Sequence, residues 1–338
     1  MAAHLYPLPG GFTSRHASLD DAVMAAGIGR DYSLATTGFT DVDAETLRNQ
    51  WQSPNFDPAQ DVYFVFNPQN KLVGYCEAWT IGGLPVHPFI WGVVDVDFQN
   101  LGIGTHMLEW AENRVRHVLE KVPADIRVAP LAGFPSTIRN AKALLENNGW
   151  VYLRSNYTMR LDLDSALPIP EYPTKITITT YQPDMAESIY RAMDESFRDH
   201  FGHVEQPFES AFARFQKTMV EDPLFDASLW LLAMDGDQIA GICLCRKEAW
   251  DDPECGYVSI LGVRRPWRKK GLGLALLLEA FGEFHRRGYR KVSLGVDAYN
   301  ITGALRLYEK AGMKVIRQFD MYEKEIRPGR ELRVQEME

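Results

Sequence analysis

Along the second half of the chain the apolar positions change period, from every second residue to every third or fourth and back again. Ile176 and Ile178 alternate with Thr177 and Thr179, as in a half-buried strand. Pro183 and Asp184 open a helix running towards Arg198. A second helix begins near Pro207 and carries Phe208, Ala211, Phe212, Phe215 and Met219 on one stripe. Strands are predicted at residues 229–234, 239–246 and 257–263, the first two joined by the turn Asp235-Gly236-Asp237. The helix predicted over 271–287 starts on glycine, turns Leu274, Leu277, Leu278, Phe281 and Phe284 inward, and stops at Gly288. Val292, Leu294 and Val296 mark another strand, 301–311 a short helix ending at Gly312, and 319–326 a last strand. This order predicts an α/β domain, with layered helices and strands on a mixed sheet.

The first half echoes the second. Gln99-x-x-Gly102-x-Gly104 matches Arg268-x-x-Gly271-x-Gly273, and Val73-Gly74-Tyr75-Cys76 matches Ala240-Gly241-Ile242-Cys243, each of the latter pair after a polar turn. Asn147-Asn148-Gly149-Trp150 pairs with Lys310-Ala311-Gly312-Met313, and Leu19-Asp20-Asp21-Ala22 with Pro183-Asp184-Met185-Ala186. Four anchors in one order, each displaced by close to half of the 338 residues, identify a duplicated unit. Pro168, Pro170 and Pro173 favour an extended connector between the copies. The expected domains are therefore 1–163 and 175–338, with a linker at 164–174.

With 46% hydrophobic and 24% charged residues, each half can bury a core. A formal charge of −9 argues against a nucleic-acid partner and leaves room only for a local basic patch. Cys76, Cys243, Cys245 and Cys255 form no CxxC pair and no zinc pattern, so no metal and a reducing, cytoplasmic setting are expected. The first residues carry neither a basic nor an apolar leader pattern, and no apolar run is long enough to span a membrane.

A strand ending at Val263, a basic loop, and two glycines at the first turn of an apolar helix make an anion-binding device. The N–H groups of that turn have no intrahelical partners, and Gly271 and Gly273 remove Cβ atoms where a phosphate must come close. Arg264, Arg265, Arg268, Lys269 and Lys270 surround it with positive charge. The alternative is structural, with glycines for close packing and a solvated basic loop. A Walker loop is absent, because Gly271 and Gly273 are each followed by leucine, and a Rossmann fingerprint lacks its third glycine, since Leu276 stands there.

Ile260-Leu261-Gly262-Val263, then Arg268-x-x-Gly271-x-Gly273-x-Ala275, then Asn300-x-x-x-Ala304-x-x-x-Tyr308-x-x-x-Gly312, resembles the GNAT superfamily of N-acetyltransferases over nearly the whole second half. Two such domains in one chain resemble the tandem arrangement of the mycothiol synthase family, whose C-terminal half carries the chemistry. The resemblance implies two GNAT-like domains, each a mostly antiparallel sheet flanked by helices and splayed at the cofactor site. It implies acetyl-CoA as co-substrate, held by Leu261, Gly262, Val263, Arg268, Lys269, Lys270, Gly271, Leu272, Gly273, Leu274 and Ala275. It also implies Tyr308 as the acid that protonates the departing sulfur. The acceptor would be a primary amine of a small molecule or peptide.

Tyr308 also fits a plain core position, since Ile301, Ala304, Leu305 and Tyr308 share a helical face. Asn300 divides between a turn residue and a helix cap beside the cofactor. For the base that takes the amine proton, Glu254 is the first candidate, with Glu248, Asp251 and Asp252 nearby. Glu195, His200 and His203, with Phe197, Phe201 and Trp250, fall where an acceptor pocket is shaped in this superfamily, or are ordinary surface and packing residues. Cys243 and Cys245 read as core residues. In the first half Asp95 and Asp97 replace the basic approach, and Leu145 stands opposite Tyr308, where it cannot donate a proton. Catalysis is therefore expected in the second half. The competing class is a non-catalytic CoA sensor or scaffold, for which a phenol at the thioester has no use.

Overall fold

The computed structural model describes residues 5–40, 43–80, 84–164, 167–198, 206–249, 252–299 and 303–333. In chain order the first elements are β1 (Thr13–His16), α1 (Ala22–Thr37), α2 (Ala44–Trp51), α3 (Pro58–Asp61), β2 (Val62–Phe66), β3 (Leu72–Trp79), β4 (Phe89–Val94), α4 (Ile103–Val115), β5 (Leu131–Pro135) and α5 (Arg139–Asn147). They are followed by β6 (Val151–Asp162), β7 (Ile176–Thr180), α6 (Ala186–Phe197), α7 (Phe208–Phe215), β8 (Trp230–Asp235), β9 (Gln238–Arg246), β10 (Cys255–Val263), α8 (Leu272–Arg286), β11 (Lys291–Asp297), α9 (Ala304–Lys310) and β12 (Lys314–Glu323).

Two compact units emerge, but not with the expected boundaries. Unit 1 comprises 1–154 with 319–332, and unit 2 comprises 155–318 with 333–338. The cause is a reciprocal use of strands. From Asn156 to Asp162, β6 pairs antiparallel with β11 of unit 2, and Met159 and Leu163 are wholly buried in that unit's core. In return Phe319–Glu323 of β12 pairs antiparallel with β5 of unit 1, and Tyr322 is buried there. Nor are residues 164–174 a free connector: Leu167 and Tyr172 pack against the core of unit 2.

Within each unit the central strands are apolar almost throughout, because helices cover both faces. In unit 1, Tyr63 and Val65 of β2 face the α4 core, while Val62, Phe64 and Phe66 face α1 and α2. In unit 2, Cys243 and Cys245 of β9 face α8, while Ile242 and Leu244 face α6 and α7. Each α8 core position identified from helical spacing is buried or packed against this cluster, with Phe281 and Phe284 wholly enclosed.

In each unit the strands open where two of them run parallel. β10 pairs with β11 only from Cys255↔Lys291 to Val258↔Leu294, although β10 continues against β9 to Val263 and β11 continues against β6 to Asp297. A bulge between Val258 and Ile260 marks the divergence. In unit 1, β4 meets β5 only at Phe89↔Leu131 and Ile90↔Ala132. The splay expected at each glycine motif is present in both units.

Candidate active site

Beyond Val258 the edge of β10 that faces β11 has no strand partner, so, apart from the Val263 carbonyl that accepts from Arg268, its backbone polar groups face the cleft. Below this edge lies a cleft of about 1040 Å³, lined by both splayed strands, the loop 265–269, the start of α8, and α9.

The loop after β10 makes a short turn at Arg265–Trp267, and Lys269 then adopts φ 60°. Gly271 caps α8 at φ 84° and ψ −7°, the left-handed region glycine enters without strain, and no side chain caps the helix. Its first N–H groups therefore point outward without side-chain partners. The two motif glycines differ in role. A Cβ at Gly271 would meet nothing within 4 Å, whereas one at Gly273 would lie 3.2 Å from Leu307 Cδ1 and 3.6 Å from Val263 Cγ2. Gly271 thus leaves the anion approach open, and Gly273 lets α9 close on α8. Gly262 serves a third purpose: a Cβ there would come within 3.0 Å of Ser196 Cβ and 3.3 Å of Phe197 Cε2, so its absence admits the end of α6.

The basic residues are also not equivalent. The Arg268 guanidinium turns inward, donating from Nε to the Val263 carbonyl at 3.0 Å and from Nη2 to the Ser196 carbonyl at 3.1 Å. Arg264 donates to Glu195 at 2.7 Å and to the Ile239 carbonyl at 3.0 Å, over the Trp267 ring. These two arginines brace the loop and tie it to α6. Lys270 donates to the Pro266 carbonyl and does not line the cleft, and Ala275 is a buried packing residue. Arg265 and Lys269 do line it. So do Arg306 and Lys310 on α9, which the sequence reading passed over. Their spacing of one helical turn around Tyr308 was the available signal.

Tyr308 lines the same cleft at 8% exposure. Burial pushes its phenol well above the ordinary tyrosine value, with Cys243 and Tyr257 adding to the effect, so it stays protonated at neutral pH. It shares the cleft with Leu261, Gly262, Val263, Arg268, Lys269, Gly271, Leu272, Gly273 and Leu274. Glu254 does not join them. It is exposed in the turn before Cys255, where β10 and β11 are still paired. Four residues of strand, roughly 13 Å at the usual rise, separate it from the splay, far beyond hydrogen-bond reach. Glu195, offered as an acceptor-side residue, is engaged by Arg264. Asn300, His200, Phe201, His203, Trp250 and Asp251 lie outside the described residues. All four cysteines are free and buried, the Sγ atoms of Cys243 and Cys245 lying 3.7 Å apart.

Unit 1 repeats the backbone with different side chains: its cleft has Leu145 at the position of Tyr308, and its tyrosine is Tyr32 of α1. Asn100 has φ 61°, and Gly102 caps α4 at φ 83° and ψ −4°. Leu145 is confirmed opposite Tyr308 by the helix ends, where Trp150 N–H reaches the Leu145 carbonyl at 3.0 Å and Met313 N–H reaches the Tyr308 carbonyl at 3.0 Å. The unit 1 cleft is about 330 Å³ and carries Leu145 in its lining. Among the described residues no cluster of three His, Cys, Asp or Glu could hold a metal ion, and no helix is long and apolar enough to cross a membrane.

Two splayed α/β units, one with a phosphate-type turn facing a buried phenol, are the geometry of an acyl-transfer fold. The chain belongs to the acetyltransferase (GNAT) family, whose model matches residues 30–128 and 186–313. A mycothiol acetyltransferase from Renibacterium salmoninarum is 32% identical over 177 residues, and the chain spans about half of that relative, 51% of each. One from Thermobispora bispora is 29% identical over 236 residues, covering 68% of this chain and 71% of the relative. Among solved structures, a GCN5-related N-acetyltransferase from Sphaerobacter thermophilus has a TM-score of 0.80 at 33% identity, over 96% of this chain and 99% of that one.

Proposed function

We propose that the chain is an acetyl-CoA-dependent N-acetyltransferase acting on a primary amine of a small molecule or peptide, with its chemistry in unit 2. Tyr308 carries this reading: a protonated, buried phenol shares one cleft with an unpaired strand edge and an open helix start. The residues suit the co-substrate, since the space above Gly271 is clear for a pyrophosphate and Arg265, Lys269, Arg306 and Lys310 supply positive charge. Bound acetyl-CoA supplies the thioester carbon that a neutral amine attacks.

The backbone N–H groups of Leu261 and Val263, on the edge of β10 turned away from β9, steady the negative charge on the carbonyl oxygen. As the carbon–nitrogen bond forms and the carbon–sulfur bond breaks, Tyr308 gives its proton to the sulfur, and the proton lost by the amine nitrogen passes to solvent water. Leu145 denies unit 1 that step. Relatives named as mycothiol acetyltransferases place a deacetylated mycothiol-type amine first among acceptors to try. Four free cysteines favour a reducing, cytoplasmic setting. The test is thiol release from acetyl-CoA across a panel of primary amines. Amine-dependent release supports the proposal; tight CoA binding with no release from any amine favours a sensor instead.

A further inference from the structure

The two glycine turns are near-copies in backbone, yet what stands above them differs. Gly271 and Gly102 agree within a few degrees, at φ 84° and ψ −7° against φ 83° and ψ −4°. A Cβ on Gly271 would meet nothing within 4 Å. On Gly102 it would strike the ring of Tyr6, at 3.2 Å from Cδ1 and 3.4 Å from Cζ, with Cε1 nearer still. The space that unit 2 leaves clear is filled in unit 1 by an aromatic side chain of the same chain.

Residues 5–12 are fastened in that position. His106 Nδ1–H donates to the Tyr6 carbonyl at 2.6 Å, and the Tyr6 N–H donates to Glu109 Oε2. Both partners lie in the first two turns of α4. Leu5, Leu8 and Phe12 pack against the α4 core, and the Phe12 ring meets Phe98, in the turn that leads into the glycine loop, at 6.2 Å edge-on. Unit 2 provides the internal control. The segment ahead of β7 also runs along its glycine-started helix, but Tyr172 donates to Glu279 at 3.0 Å, deeper along α8, and leaves Gly271 uncovered.

We infer that Tyr6 is a built-in latch on the second groove: its ring occupies the phosphate position of unit 1, so the chain takes up CoA through unit 2 alone. The inference rests on the reading of unit 2 given above for the stoichiometry, and on unit 1 geometry for the latch itself. Asp97 beside the turn works in the same direction, by repelling a phosphate, while Asp95 is paired with Lys71 at 2.7 Å.

The full chain is tested by equilibrium dialysis against labelled CoA, with hydrogen exchange of the amides in residues 101–105. Wild type and Tyr6→Phe, which keeps the ring, are expected to bind one equivalent, with these amides unaffected by CoA. Tyr6 is 47% exposed, so Tyr6→Ala is expected to fold. It should exchange these amides at least tenfold faster and bind a second, weaker equivalent. Adding Gly271→Val should leave Tyr6→Ala with one equivalent and wild type with none. Two equivalents in wild type, or one in Tyr6→Ala, overturn the latch. If wild type binds no CoA, the reading of unit 2 fails separately, and the exchange comparison still decides: unchanged rates in Tyr6→Ala overturn the latch.

Discussion

Replacing Gly271 with valine separates binding from folding at the cofactor turn. The native φ of 84° is strained for any residue with a Cβ, and a branched one costs about 1–3 kcal/mol there. No steric clash adds to this, because nothing lies within 4 Å of the new Cβ. The melting temperature should fall by roughly 2–4 °C per kcal/mol, leaving the variant folded. The side chain instead projects into the space assigned to pyrophosphate. Losing two hydrogen bonds to a charged group, about 1.5–3 kcal/mol each, weakens affinity on the order of a hundredfold or more. Calorimetric titration of acetyl-CoA into the folded variant measures this. An unchanged dissociation constant would refute the assignment of the turn to phosphate.

Glu254→Gln is expected to keep turnover within about twofold of wild type, because Glu254 stands outside the cleft; a loss of a hundredfold or more in an amine-dependent assay would return it to the base position. Arg268→Ala removes the clamp between the loop and α6, so the KM for acetyl-CoA should rise with the pH profile of turnover unchanged; wild-type KM would show that the loop holds its shape without it. In unit 1, the Arg15 guanidinium and Ser18 hold the Asp21 carboxyl at about 2, below its ordinary 3.8, against the opposing effect of partial burial. Its contribution is complete above the unfolded value and is lost as pH falls through the folded one. Denaturant unfolding should thus find wild type more stable than Asp21→Asn at neutral pH, with the gap closing towards about pH 2; a pH-independent gap contradicts this pairing.

The α8 stripe and the strand before it could be read in advance because Leu277, Phe281 and Phe284 bury one helical face whatever surrounds them. Leu145 and Tyr308 could be aligned because Gly149 and Gly312 end their helices in the same left-handed turn. Strand partnership could not be read. The alternation in β6 encodes which face is buried but not which neighbour is bonded, so the exchange of β6 and β12 left no mark on the local pattern. Side-chain direction was equally hidden. Arg268 looks like a phosphate ligand from its place in the motif, yet it is spent on two carbonyls. Glu254 was misplaced because β10 begins at Cys255, adding paired strand between it and the splay. Tyr6 is far in sequence from Gly102, and nothing local announces that its ring fills the turn.

The most direct measurement is amine-dependent thiol release by wild type and Tyr308→Phe at saturating acetyl-CoA, with affinity for CoA measured in parallel. The phenylalanine keeps the packing of α9 and removes only the proton donor. Affinity is expected to be unchanged and turnover to fall on the order of a hundredfold or more. Full turnover in Tyr308→Phe would contradict the account and leave Tyr308 a core residue.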